Sequence, residues 1–205
     1  MEIIKKIEEW DIQAFLFLNG HYNRTFDFIM YWVSDKWFWI PFYLLILILI
    51  IRLYKKRSWI IFIFIGILIT ISDQVSSGII KPLVGRLRPS HNPDLFGIIH
   101  LSRAGQGGMY GFVSGHATNS FSLFIFLLFI LGSQYKWLRY VLLFWALLIC
   151  YSRIYLGVHY PGDVLGGAML GSLIGLITAK SCLYFVHSNL TSLPKSNLIK
   201  KPKRL

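Results

Sequence analysis

The chain has 205 residues, of which 55% are hydrophobic and 15% charged, with a mean hydropathy of +0.57. That composition excludes an ordinary soluble domain. The charges gather in short patches between apolar blocks, which is the pattern of a polytopic helical membrane protein. A formal net charge of +12 would suggest nucleic acid in a soluble protein. Here much of the excess Lys and Arg lies in loops and the tail, where cytoplasmic orientation favours it, and no nucleic-acid partner is expected.

Residues 3–34 mix aromatic and aliphatic residues with Glu8, Glu9, Asp11, Arg24 and Asp27. They read as one or two amphipathic helices lying in the membrane interface, broken at Asn19-Gly20. The mixed charges at the start of the chain do not form a cleavable signal peptide. Five segments then have the length and apolarity to cross a bilayer, near 37–54, 59–80, 115–134, 137–157 and 162–186. Trp37, Trp39, Phe42 and Tyr43 suit an aromatic belt. Gly167, Gly171 and Gly175 repeat at four-residue spacing, which suits close packing within the bundle better than dimerisation. Cys150 and Cys182 lie inside apolar segments and read as buried fillers, not a disulfide. The expected fold class is therefore an all-α polytopic membrane bundle. Its parts are an interfacial segment over 1–36, a transmembrane domain over 37–186 and a basic cytoplasmic tail over 187–205.

Loop charges orient the bundle. Arg52, Lys55, Lys56 and Arg57 join the first two spans, Lys136 and Arg139 join the third and fourth, and five Lys and Arg residues fill the tail from Lys195. With five spans these groups share one side, the cytoplasmic one. The loops at 81–114 and 157–162 then face outward, in the plasma (inner) membrane. The first outward loop is itself basic, through Lys81, Arg86, Arg88 and Arg103. Cations on that side suggest an anionic ligand.

Three motifs fall at the outward ends of spans: Lys81-Pro-Leu-Val-Gly-Arg-Leu-Arg88-Pro89, Ser114-Gly115-His116, and Ser152-Arg153 followed by His159 and Asp163. Arg offers a planar fork matched to phosphate oxygens and Lys a compact point charge, although both residue types also serve as interfacial anchors. Ser114 and Gly115 open a helix whose N-terminus favours an anion, or simply cap it. A carboxylate on one ring nitrogen of His159 fixes its tautomer and leaves the other free to attack phosphorus; a structural His–Asp contact is the plainer alternative. His116 has the chemistry of a general acid. Lys81, Arg88 and Arg153 can neutralise a phosphoryl group in transfer without a metal, and no cofactor is expected. Asp73, the only acidic residue of the second span, is a candidate partner for a site cation.

The ordered signature K-x6-R-P, S-G-H and S-R-x5-H-x3-D resembles the type 2 phosphatidic acid phosphatase superfamily of integral membrane lipid phosphatases. The resemblance implies that His159 becomes phosphohistidine, Asp163 orients it and His116 protonates the leaving group. It also implies that Lys81, Arg88, Ser114, Gly115 and Arg153 bind the phosphoryl group, while the role of Ser152 stays open. Val113 stands where the family usually has proline, and one span fewer than the common six is apparent. A site at the outer interface suits a phosphate on a lipid anchor. Resemblance puts undecaprenyl diphosphate first as substrate, with phosphatidylglycerol phosphate, phosphatidic acid and lipid A phosphate as alternatives. A non-enzymatic lipid-phosphate transporter or scaffold is the rival of another class. Oligomeric state is left open.

Overall fold

The computed structural model describes residues 2–102, 105–132 and 134–191, the last three as backbone only. Arg103 and the basic residues of the tail from Lys195 onward, used above for orientation, lie outside the described residues. Among the described residues eight α-helices follow one another: α1 Glu2–Asn19, α2 Arg24–Ser34, α3 Ile40–Tyr54, α4 Ser58–Asp73, the single turn α5 Lys81–Val84, α6 Gly115–Leu131, α7 Leu138–Tyr155 and α8 Pro161–Thr191. No strand is present among the described residues.

Among the described residues three helical stretches are long and apolar enough to cross a membrane, Lys36–Val84, Leu138–Tyr155 and Pro161–Ser188, and Gly115–Leu131 is a shorter apolar helix. The first stretch folds back on itself at Lys55, whose φ of 51° no helix interior accepts. Ser58 Oγ donates to the Lys55 carbonyl at 2.7 Å and satisfies one acceptor that the break exposes. Five apolar helices therefore form the bundle, as the hydropathy pattern predicts. Their outer faces stay apolar, with Leu44, Ile63, Phe144, Met169 and Leu173 all exposed. A bilayer tolerates this, and water does not.

The interior is built from Ile50, Ile61, Leu68, Phe126, Leu127, Ile130 and Leu142, contributed by α3, α4, α6 and α7. Lipid tails are as apolar as Leu, so packing and small residues, more than the exclusion of water, hold such helices together. The three glycines of α8 supply that packing. A Cβ on Gly167 or Gly175 would stand 2.5 Å from the carbonyls of Ser114 and Ser122, and one on Gly171 would collide with the Thr118 carbonyl. Hydroxyls on α6 find partners: Thr118 Oγ1 donates to Ser114 O at 3.0 Å, and Ser72 Oγ of α4 donates to Ser122 Oγ at 3.0 Å.

The amphipathic N-terminus forms two helices with the break where Asn19-Gly20 puts it, and Asn23 caps the second by accepting from Phe26 N at 2.9 Å. Asn19 does more than end a helix. Its side-chain amide donates to the carbonyls of Tyr155 (2.8 Å) and His100 (3.0 Å), and its Oδ1 accepts from His100 N (2.8 Å). Asp27 accepts from Tyr155 Oη at 2.9 Å and meets His100 Nε2 at 2.7 Å. The pair α1–α2 is thereby fastened to the end of α7 and to the 85–114 loop.

Candidate active site

The three motifs meet where the end of α4, the start of α6 and the α7–α8 turn come together. After Asp73 the α4 ladder widens into a π-helical stretch, Gln74–Ile80, before α5. Such widened turns are uncommon and recur at functional sites. This one is followed at once by Lys81, whose Nζ donates to Ser77 Oγ at 3.3 Å. A Cβ on Gly115 would lie 3.6 Å from that same Nζ, so the start of α6 abuts the lysine.

Arg88 is held by a short antiparallel bridge between Leu87 and Tyr110. Its own N donates to the Met109 carbonyl at 3.0 Å and its Nε to the Tyr110 carbonyl at 3.0 Å. Arg153, on the last turn of α7, donates through Nη1 to Ser34 Oγ at the end of α2, and its Nε has no partner among the described residues. Both guanidinium residues are 9% exposed. Ser114 caps α6 through Oγ, and its N donates to the Asp163 carbonyl at 2.9 Å, tying the second motif to the third.

His159 and Asp163 are both buried in the turn that opens α8, one turn of helix apart. The carboxylate has more partners than its histidine. Asp163 Oδ1 accepts from Arg86 Nη1 at 2.9 Å, while Oδ2 accepts from Tyr160 N at 3.1 Å and from His159 Nδ1 at 3.4 Å. The last distance is long for a hydrogen bond. The His159 ring also bonds to the Gly111 backbone. A Cβ at position 111 would come within 2.7 Å of Asp163 Oδ2, so only glycine lets the loop approach this closely. Burial first, and then the charges of Arg88, Arg153 and Lys81, push the imidazole of His159 well below its ordinary pKa of 6.5. The ring is neutral at pH 7, which is the state a nucleophile needs.

The same three cations and His159 act electrostatically on His116, which opens onto a cavity of about 830 Å³. That cavity runs between α3, α4, α6 and α7 and is walled by Phe42, Ile46, Leu123, Leu127 and Ile149. Asp73, Gln74 and Asn119 line it as well, and Asp73 also acts on Lys81 through its charge. The lining includes His116 but not His159, which is 1% exposed.

The candidate site residues Lys81, Arg88, Ser114, Gly115, His116, Arg153, His159 and Asp163 thus lie in one cluster. Three that carry structure here were not singled out. Gly111 is one. Arg86 was read only as a loop cation, yet it bridges Asp163 and Asp11, the latter at 2.7 Å. Asp11, on α1, was read as part of an amphipathic face. The fused Gly-Arg-x-Arg string was the one available hint of Arg86; nothing near Asp11 marks it.

A sequence model of the PAP2 superfamily matches residues 62–186, which contain all three motifs. The chain belongs to the PAP2 superfamily. Among its relatives, the Lipid A 4'-phosphatase of Bacteroides thetaiotaomicron is 35% identical over 193 residues, covering 93% of this chain and 82% of that one. The Undecaprenyl-diphosphatase of Sulfolobus acidocaldarius is 27% identical over 181 residues, covering 83% and 78%. The crystal structure of the PAP2 type phosphatidylglycerolphosphate phosphatase from Bacillus subtilis superposes with a TM-score of 0.62 at 19% identity, covering 94% of this chain and 90% of the other, and shares the fold. This PAP2 chain is accordingly a multi-pass membrane enzyme, a lipid phosphatase.

Proposed function

We propose that the protein removes a phosphate from a phosphorylated glycolipid of the lipid A type at the outer face of the cell membrane, through a phosphohistidine and without a metal. One observation carries the reading: a neutral, buried histidine beside a carboxylate stands among three cations, and the same groups act on His116, which lines a cavity of about 830 Å³. Lys81, Arg88 and Arg153, with the N-terminus of α6 at Ser114 and Gly115, hold the three equatorial oxygens and take up their charge. His159 attacks phosphorus through Nε2, since Nδ1 faces Asp163. His116 gives a proton to the departing oxygen and then takes one from the water that cleaves the phosphohistidine. Asp163 offsets the positive charge that develops on the His159 ring. Its long contact with Nδ1 is expected to shorten when substrate binds, as such contacts commonly do.

The substrate assignment rests on two supports. The 35% identical relative carries a lipid A 4'-phosphatase name, against 27% for an undecaprenyl-diphosphatase, the activity that the family resemblance puts first. The cavity also presents Asp73, Gln74 and Asn119 alongside His116. A sugar with hydroxyl and amide groups can bond to these, whereas a polyprenyl chain would leave them unpaired in a lipid-filled cavity. The exposed Ile3, Ile4, Ile7 and Trp10 of α1 suit a helix lying in the interface, and the basic 55–57 turn suits the cytoplasmic side.

The test is phosphate release from lipid A, undecaprenyl diphosphate, phosphatidylglycerol phosphate and phosphatidic acid, each in excess chelator. The expected result is the highest kcat/KM for lipid A, insensitivity to chelator, and loss of release in His159→Ala. Faster turnover of undecaprenyl diphosphate would overturn the substrate assignment, and full activity of His159→Ala would overturn the mechanism.

A further inference from the structure

We infer that Arg86 is a positioning residue for the catalytic pair and that Asp11 makes helix α1 part of the active-site framework. The inference rests on the assignment of His159 as nucleophile. Asp163 is a fully buried carboxylate, and Arg86 is the only cation within ion-pair distance of it among the described residues. The guanidinium makes two separate bonds. Nη1 donates to Asp163 Oδ1 at 2.9 Å, and Nη2 donates to Asp11 Oδ2 at 2.7 Å. The guanidinium carbon lies 4.2 Å over the Tyr160 ring, which fixes the plane of the fork.

Asp11 closes the arrangement. Its Oδ1 accepts from Gly162 N at 2.7 Å, at the start of the helix that carries Asp163. One carboxylate on α1 therefore grips both the arginine and the backbone one residue before Asp163. Arg86 lies outside the membrane-spanning helices, and although burial works against its charge, Asp163 and Asp11 outweigh that and raise its pKa. It stays cationic at neutral pH.

The consequence for catalysis follows from which oxygen each partner takes. With Oδ1 committed to Arg86, Asp163 can only offer Oδ2 to Tyr160 N and His159 Nδ1. Arg86 thereby sets the rotation of the carboxylate and, through it, the ring of His159. It is the shared counter-ion of two carboxylates, one of them the partner of His159, so its loss should act on turnover more than on substrate binding. Lys81, Arg88 and Arg153, which hold the phosphate, are untouched by the substitution.

The experiment measures kcat and KM separately, with lipid A in detergent micelles and phosphatidic acid in parallel, on the full-length protein. Arg86→Gln should lower kcat about a hundredfold with KM within about twofold of the parent. Arg86→Lys should recover about tenfold of that loss by restoring one of the two contacts. Asp11→Asn, which keeps the shape but removes the charge, should lower kcat about tenfold, and it carries the same test if Arg86→Gln does not accumulate in the membrane. A rise in KM at constant kcat would make Arg86 a phosphate ligand and overturn the inference. Unchanged kcat in Arg86→Gln or in Asp11→Asn, alongside an inactive His159→Ala, would overturn it too. Full activity of His159→Ala would instead remove the mechanism on which it rests.

Discussion

His159 is held neutral by burial and by the cations around it, and this has a readable consequence in the pH profile. The folded-state pKa lies below the ordinary 6.5, so the ring keeps its lone pair through that range and loses it only at more acidic pH. The acid limb of kcat/KM is expected below pH 6.5, in contrast to a solvent-exposed imidazole. The same linkage makes the folded state lose stability as pH falls below 6.5, because the unfolded chain takes up that proton first. A limb at or above 6.5 in a kcat/KM profile would mean that His159 is not the titrating base. Most of this site is legible residue by residue, because three motifs within 83 positions each carry several chemistry-bearing groups at fixed spacing. Asp11 and Gly111 escape because their roles arise from approach in space. Asp11 meets Arg86 from 75 residues away, and Gly111 matters for the side chain it lacks.

At the scale of elements, the helices announce themselves through their apolar runs, and the α6–α8 seam through its glycines. What hydropathy does not reveal is the widened π-helical turn before Lys81 or the fastening of α1 and α2 to the end of α7. The fastening depends on Tyr155 and His100, partners that the local sequence does not contain. The seam gives a direct prediction. Gly171→Leu places a side chain against the Thr118 carbonyl, where even a Cβ does not fit. Overpacking of this kind costs about 1–3 kcal/mol or more. The variant should lower the thermal midpoint in detergent, whereas Met169→Ala, on the exposed face of the same helix, should leave it within experimental scatter. Equal effects from the two would contradict the packing described for α8.

For the whole molecule, five apolar helices carry the motifs to one end, and the proposed orientation puts that end outside. Asp94, in the loop beside the site, and Lys56, in the basic turn at the other end, are both exposed. The two native cysteines, Cys150 and Cys182, are buried and should contribute little background. A membrane-impermeant thiol reagent applied to intact cells should label Asp94→Cys and spare Lys56→Cys, and the reverse pattern would invert the topology.

The central claim is that phosphate passes through His159, and rapid acid-free quenching of the enzyme with lipid A carrying labelled phosphate tests it most directly. The account predicts label on His159, acid-labile and base-stable as a phosphoramidate is, formed before free phosphate is released and absent from His159→Ala. Steady release of labelled phosphate by His159→Ala, or label trapped on any other residue, would contradict it.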